Sequence, residues 1–142
     1  MNPFHLTLTD KIDKADDIAV REGLNGYYDA QGVPLNWLPL GIFLYDEHGV
    51  LAGGLTGGTY WGWLYVARLW IAESARRQGY GTQMMRAAEE EALRRGCHHA
   101  TLETHDALGF YQKLGYTVYG ALENMPTGRT RYSLKKLLPS DH

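Results

Sequence analysis

The chain has 142 residues, with 14 basic and 16 acidic side chains and a formal net charge of -2. This length predicts a single domain over residues 1–142, and the balanced charge excludes the strong positive field typical of proteins that bind nucleic acids. Glycine is over-represented, because 17 of the 142 residues are about 12%, against an average of about 7%. The excess requires a structural or a chemical reason.

Cysteine content and the N-terminal segment bear on the compartment. The single cysteine, Cys97, excludes an intramolecular disulfide. Residues 1–14 carry charges where an export signal has an apolar core, and no run of about 18 apolar residues could span a bilayer. We therefore expect a cytoplasmic protein with no membrane partner.

The first third of the chain predicts one strand and one helix. Residues 6–9 alternate apolar and polar side chains, which is typical of a short strand. A helix is predicted over residues 15–24, with Asp10 or Asp13 as its N-cap and with glycines expected to end it. Residues 25–39 are rich in Gly, Pro and aromatic side chains and predict a packed, partly helical loop.

The middle of the chain predicts an antiparallel meander. Its three strands are expected at residues 41–45, 50–58 and 61–71. Residues 46–49 (DEHG) are typical of the hairpin turn that joins the first two strands.

The segment after the meander has apolar residues at the spacing of an amphipathic helix. Met85, Ala88 and Ala92 share one face of a helix predicted over residues 82–95, with Gly96 as its C-terminal cap. Two i,i+4 ion pairs are expected on it, Glu90–Arg94 and Glu91–Arg95.

The rest of the chain completes a mixed sheet. A strand at residues 97–104 follows the helix, and a right-handed crossover would make it parallel to the strand before the helix. A short helix at 106–114 and strands at 116–120 and 130–137 complete an α/β fold.

The junction between the third meander strand and the following helix carries chemical information. Gly79 and Gly81 stand at the mouth of the helix, just after Arg76 and Arg77. Without Cβ atoms they allow a ligand to approach the backbone, and a helix N-terminus offers N–H groups and partial positive charge. The junction therefore predicts a pyrophosphate site, although an ordinary helix start with solvated arginines remains the alternative. Neither a P-loop nor a G-x-G-x-x-G fingerprint occurs.

Two segments together resemble one family. The pattern Arg76-x-x-Gly79-x-Gly81 and the downstream segment 109–116 (GFYQKLGY) are similar to signature motifs of the GNAT family of N-acetyltransferases. The predicted order of strands and helices also agrees with that family. The resemblance implies the GNAT (acyl-CoA N-acyltransferase) fold, in which helices flank a mixed central sheet whose parallel strands splay apart.

The resemblance also implies acetyl-CoA as co-substrate and assigns residues to it. The end of the third meander strand would pair with the pantetheine arm, and the loop and helix start would wrap the pyrophosphate. The residues implied are Leu69, Trp70, Ile71, Ala72, Arg76, Arg77, Gln78, Gly79, Tyr80, Gly81 and Thr82. Tyr111 corresponds to the family's general acid for the leaving thiolate, the alternative being a packed aromatic residue.

A general base is harder to assign. Tyr65 stands where histone-type members have a glutamate, eleven residues before the first motif position. Glu103 on the neighbouring strand is the nearest replacement and would act through a water, unless it is merely a solvated strand residue. Cys97 is expected in the core. No metal is expected, because His98 and His99 are adjacent on a strand and point to opposite faces.

Aromatic side chains are expected to bind the acceptor. An aromatic wall suits an apolar or cationic amine, although core packing or a homodimer interface is the alternative. The predicted substrate-binding residues are Tyr27, Tyr28, Trp61, Trp63 and Tyr65, within a wider aromatic set that includes Trp37 and Tyr60.

The predicted reaction is transfer of an acetyl group from acetyl-CoA to a primary amine of a small molecule, directly and in a ternary complex. The runner-up acceptors are a protein N-terminus or a lysine. The alternative from another class is a CoA-binding sensor without turnover, supported by the missing strand glutamate.

Overall fold

The computed structural model describes residues 3–139. The chain separates into two compact units, Met1–Leu35 and Asn36–His142. No helix in the described part of the chain is long and apolar enough to cross a membrane.

The first unit contains helix α1 (Lys14–Ala30). Asp13 is its N-cap, and its Oδ1 accepts hydrogen bonds from the backbone N–H of Ala15 at 2.8 Å and of Asp16 at 3.3 Å. The helix continues six residues beyond its predicted end, because each helical glycine costs only about 1 kcal/mol. The strand predicted at residues 6–9 is wrong. Two alternating apolar residues are too short a pattern to specify a strand.

The second unit is a six-stranded mixed sheet with two helices. Its elements are β1 (Leu38–Tyr45), β2 (Leu51–Tyr60), β3 (Trp63–Ile71), α2 (Tyr80–Arg94), β4 (His99–Thr104), α3 (Leu108–Lys113), β5 (Thr117–Glu123) and β6 (Thr130–Leu137). The strand order is β1-β2-β3-β4-β6-β5. Among these six strands only β3 and β4 pair in parallel, which confirms the predicted parallel pairing, and the antiparallel β1–β2 and β2–β3 pairs confirm the predicted meander.

Both hairpins of the meander have tight turns. In the first, Asp46 Oδ1 accepts from the N–H groups of His48 at 2.8 Å and Val50 at 2.9 Å, which confirms the predicted turn. In the second, Trp61 and Gly62 form a two-residue loop in which both φ angles are positive, 49° at Trp61 and 80° at Gly62. Positive φ at both positions is the signature of a type I′ turn.

The core lies between α2 and one face of the sheet. Met85 and Ala88 of α2 are fully buried, in one cluster with four residues of β3 and β4. Those four, Leu64, Val66, Ala100 and Leu102, define what we call the helix face. Because side chains alternate along a strand, Tyr65, Thr101 and Glu103 point to the opposite side, which we call the polar face.

The C-terminal end of α2 is anchored by an arginine. Arg95 Nη1 donates to Leu38 O at 3.0 Å and to Thr59 Oγ1 at 3.1 Å, while its Nε donates to Glu91 at 2.8 Å. The predicted Glu91–Arg95 pair is thus confirmed. The predicted Glu90–Arg94 pair is wrong, because Arg94 Nε donates to Glu91 Oε1 at 2.9 Å. These two guanidiniums lower the pKa of the Glu91 carboxyl.

Candidate active site

The site is centred on a gap between two parallel strands. β3 and β4 pair only from Trp63–His99 to Val66–Leu102, although β3 continues to Ile71. The predicted splay is therefore confirmed. Beyond Val66, no described residue of β4 pairs with β3, so backbone groups on this edge of β3 are available to a ligand.

A β-bulge accompanies the separation of the strands. Thr56 faces Arg68 and Gly57 faces Val66, so Ala67 is an extra residue in β3. Such a bulge bends its strand and increases the twist. Only glycine fits opposite it, because a Cβ on Gly57 would lie 2.0 Å from the carbonyl oxygen of Tyr65. This glycine of β2 therefore permits the geometry that opens the gap.

A cavity of about 930 Å³ lies between the end of β3, the start of α2, and α3. It is lined by Leu69, Trp70, Ile71, Ala75, Arg76, Arg77, Gly79, Tyr80, Gly81, Thr82, Asp106, Ala107, Phe110 and Tyr111. Nine of the eleven residues predicted to bind the co-substrate are in this wall. The other two, Ala72 and Gln78, are not, and the Ala72 N–H donates to Ala52 O at 2.7 Å.

The start of α2 offers backbone donors to this cavity. The first helical hydrogen bond runs from Gln83 N–H to Gly79 O at 3.1 Å, so the N–H groups of Tyr80, Gly81 and Thr82 have no helical carbonyl. Gly79 is the N-cap with φ of 83°, a conformation that favours glycine. Such an array of N–H groups at a helix start suits an anion.

Three other residues of the motif shape the loop and the start of α2. Arg76 Nε donates to Ile71 O at 2.9 Å and thereby ties the loop to the end of β3. Gln78 Nε2 donates to Ser74 O at 3.3 Å. A Cβ on Gly81 would lie 3.2 Å from the Phe110 ring, so this glycine also allows α3 to pack closely.

Tyr111 is the buried titratable group of the cavity wall. Its ring lies edge-on to Phe110, with centroids 4.9 Å apart, and to Tyr116 at 6.0 Å. The residue is 6% exposed, and burial raises the pKa of its phenol. The phenol therefore holds its proton at neutral pH.

The polar face carries a cluster beside the same gap. Tyr65 Oη donates to Glu103 Oε2 at 3.3 Å, and Arg131 Nη2 lies 3.6 Å from the same oxygen. Burial and the neighbouring Glu103 carboxylate both raise the pKa of Tyr65. Tyr65 is thus a hydrogen-bond donor to Glu103, and Arg131 balances the charge of this carboxylate.

The other predicted acceptor-binding residues fall into two groups. Trp61 and Trp63 line a second hollow, of about 480 Å³, with Tyr60, Thr101, Tyr119 and Lys135. Tyr27 and Tyr28 lie in α1, in the first unit, with ring centroids 5.5 Å apart. Their part in substrate binding stays a prediction.

Comparison with known proteins identifies the family. The "Acetyltransferase (GNAT) family" matches residues 12–116. The chain belongs to the GNAT family. An acetyltransferase of Agrobacterium fabrum is 34% identical over 135 residues, 94% of this chain and 98% of the relative. The blasticidin-S acetyltransferase of Streptomyces morookaense is 41% identical over 95 residues, 65% of this chain and 70% of the relative.

Solved structures support the same assignment. A crystal structure assigned as an acetyltransferase from Agrobacterium tumefaciens has a TM-score of 0.89 and 34% identity, and the alignment covers 94% of this chain and 99% of that chain. An acetyltransferase from Bacillus cereus has a TM-score of 0.80 and 27% identity, covering 93% and 98%. The GNAT fold predicted from the sequence is confirmed, and the protein is an acyltransferase.

Sequence reasoning missed Arg131 as a member of this candidate site. Its strand was predicted, but no local signal shows that it reaches Glu103 across the sheet. Cys97 is buried in the core, as predicted, and burial raises the pKa of its thiol. Within residues 3–139 no three His, Cys, Asp or Glu side chains are grouped as a metal site would need.

Proposed function

We propose that this GNAT enzyme transfers the acetyl group of acetyl-CoA directly to a primary amine of a small molecule. One observation carries the proposal: the gap between β3 and β4 opens beside the motif-lined cavity and beside Glu103 on the polar face. An acetyl thioester at this gap would be accessible to an amine arriving from the other side. The name of the Streptomyces morookaense relative, a blasticidin-S acetyltransferase, supports a small-molecule acceptor.

The residues of the cavity fit coenzyme A. The N–H groups of Tyr80, Gly81 and Thr82 suit its pyrophosphate, and Arg77 in the cavity wall adds positive charge. The unpaired edge of β3 suits the amide groups of a pantetheine arm. When bound, acetyl-CoA supplies the activated acetyl group as its thioester.

Glu103 begins the proposed chemistry. Its carboxylate removes a proton from the ammonium form of the acceptor, directly or through one water, because only a neutral amine is nucleophilic. Tyr65 and Arg131 hold this carboxylate at its edge of the gap. The nitrogen lone pair then forms the new bond to the thioester carbonyl carbon.

Backbone and phenol complete the transfer. A backbone N–H of the unpaired β3 edge donates to the carbonyl oxygen as negative charge develops there. The C–S bond then breaks, and Tyr111 donates its phenolic proton to the departing sulfur. The raised pKa of Tyr111 ensures that this proton is present throughout the neutral range. The nitrogen loses its second proton to solvent, which leaves the neutral amide, and Glu103 and Tyr111 return to their starting protonation states by proton exchange with solvent.

A turnover screen tests this proposal. The protein is incubated with acetyl-CoA and a panel of small primary amines, thiol release is measured, and the acetylated product is identified by mass spectrometry. We expect saturable turnover with a subset of the amines. Binding of CoA without thiol release across the panel would instead favour a sensor. Acetylation confined to peptide N-termini or lysines would favour a protein acceptor.

A further inference from the structure

Trp61 occupies a backbone position that disfavours it. It is the first residue of the type I′ turn between β2 and β3, with φ of 49°. Asn and Gly are preferred there, and a bulky residue at positive φ is rare. A residue held in such a conformation points to a function for its side chain. The Trp61 ring lines the hollow, with its centroid 5.9 Å from that of Tyr60.

The hollow has the shape and composition of a site for a flat ring. Trp61 and Trp63 line it from the β2–β3 hairpin, and Tyr119 lines it from β5. Trp63 is itself held in place by His99, which stacks on it with centroids 4.6 Å apart. Aromatic walls of this kind bind flat ligands by stacking.

Lys135, and not the two hydroxyl groups, gives the hollow a hydrogen-bond donor for a ring with acceptor atoms. Thr101 donates its only hydroxyl hydrogen to Leu134 O at 3.0 Å, so Tyr119 Oη is the donor in its 3.2 Å bond to Thr101 Oγ1. Lys135 Nζ lies 5.9 Å from the Tyr119 ring centroid, and no carboxylate within residues 3–139 forms an ion pair with it. The Lys135 ammonium is therefore available to a ring nitrogen or oxygen.

The hollow lies on the same surface as the proposed base. Thr101 in its wall and Glu103 are two residues apart on the polar face of β4. Two residues of a strand span about 7 Å. An acceptor with its ring in the hollow would reach Glu103 with an amine on a linker of about six bonds.

We infer that the hollow of Trp61, Trp63, Tyr119 and Lys135 selects acceptors in which a flat heteroaromatic ring is joined to the reactive amine by about six bonds. This inference rests on the proposed function and names the substrate class of the same site. The ring stacks on the tryptophans, and Lys135 donates to its heteroatoms.

Matched amines test the inference. The substrate pair is 5-(pyrimidin-2-yl)pentylamine and 5-cyclohexylpentylamine, which share the linker and differ in the ring. We expect roughly tenfold higher kcat/KM for the pyrimidine compound, and Trp61→Asn should remove this preference while leaving the KM for acetyl-CoA unchanged. Because Asn-Gly suits a type I′ turn, Trp61→Asn should fold with a Tm at or above that of the parent. Tyr45→Asn, an exposed aromatic residue at the other end of the meander, is the matched control.

Calorimetry separates this inference from the proposed function. The pyrimidine amine is titrated into CoA-loaded protein, and Trp61→Asn should weaken its binding whether or not turnover occurs. If the parent turns over both amines with equal kcat/KM, or if Trp61→Asn lowers kcat/KM by the same factor for both, the ring site is overturned and the acetyltransferase proposal stands. If the pyrimidine amine binds in a manner that requires Trp61 but no thiol is released, the ring site stands and the acetyltransferase proposal is overturned.

Discussion

The helix face and the polar face meet at the gap between β3 and β4 but give their titratable groups opposite surroundings. Tyr111 belongs to the packed core beside α2, and burial raises its pKa. Glu103 lies on the other face with its side chain 26% exposed, beside Arg131 at 34%. A buried phenol keeps its proton and can donate it, while the partly exposed carboxylate lies where an incoming amine can reach it. The environments of the two faces therefore assign the acid and the base of the proposed reaction.

The faces should also respond differently to substitution. On the helix face, side chains serve both packing and chemistry, so their loss affects stability as well as rate. On the polar face, partial exposure leaves room for a substitution to change rate alone. Variants that separate rate, cofactor binding and stability therefore test this difference directly.

Glu103→Gln should have the largest effect. It keeps the side-chain shape and an acceptor for Tyr65, so we expect an intact fold and a kcat/KM lower by about 100- to 1000-fold near neutral pH. The deficit should shrink as pH approaches the pKa of the amine, about 10 for a lysine-like group, because the acceptor then arrives neutral. Rates of thiol release across this pH range measure it.

The control for this variant is Glu123→Gln, which removes an exposed carboxylate of β5. It should keep the parent rate at each pH. If the deficit of Glu103→Gln were the same at every pH, Glu103 would only position the acceptor.

Tyr111→Phe should rank second and act on kcat. We expect kcat to fall about 10- to 100-fold, with the KM for acetyl-CoA within about twofold, because the ring still fills its place in the core. The raised pKa means that the phenol is fully protonated below about pH 10, so the deficit should be constant from neutral pH up to that region. Steady-state kinetics of this variant and of Tyr45→Phe, an exposed tyrosine, provide the comparison. An unchanged kcat would rule out the acid role.

Gly79→Ala should act on co-substrate binding, and α2 supplies its control. Gly79 and Gly96 stand at opposite ends of α2 with φ of 83° and 86°, and a Cβ at either would meet open space. Each alanine variant should therefore lose a similar stability, about 1 kcal/mol. Only Gly79→Ala should raise the KM for acetyl-CoA, by about 3- to 10-fold, because it alters the N–H array of the helix start. Equal KM values in the two variants would contradict a pyrophosphate site there.

Local patterns explain how much of this architecture was predictable. The spacing of Met85, Ala88 and Ala92 and the alternation in β3 are decided by neighbours in sequence, so the order of elements in the second unit was correct. The motif residues Arg76 to Thr82 are contiguous in sequence, running from the loop into the first turn of α2, and could therefore be found together. By contrast, the two apolar residues at 6 and 8 were too few to distinguish a strand from irregular chain.

Contacts across the sheet explain what was missed. Arg131 reaches Glu103 only because β4 and β6 pair with Glu103 opposite Ser133, and this register depends on the folded sheet. Gly57 matters because Ala67 bulges from the neighbouring strand, and neither residue shows this in its own segment. Lys135 of β6 and Trp61 of the β2–β3 turn likewise line the same hollow although they are far apart in sequence.

Tyr116→Phe should have the smallest effect and should change stability without changing the chemistry. Tyr116 Oη donates to Glu89 Oε2 at 2.7 Å, and Lys136 Nζ lies 2.8 Å from the other oxygen of that carboxylate. Removing the hydroxyl removes one hydrogen bond to a charged group, which should lower the free energy of unfolding by about 1 to 2 kcal/mol. Urea unfolding near pH 7 measures this loss. The ring contact with Tyr111 survives in phenylalanine, so kcat should stay within about twofold.

The pH dependence of this cost tests its cause. Burial, and after it the Glu89 carboxylate, raise the pKa of Tyr116 in the folded protein above the unfolded value of about 10. The stabilisation from the neutral phenol is therefore complete below about pH 10 and is lost as pH rises further. The difference in free energy of unfolding between the parent and Tyr116→Phe should therefore become smaller above that pH. Tyr45→Phe should have the same free energy of unfolding as the parent near pH 7 and above about pH 10, since the ring of Tyr45 is exposed. A large fall in kcat in Tyr116→Phe would instead mean that Glu89 helps to set the position of Tyr111, and that packing and chemistry on the helix face cannot be separated.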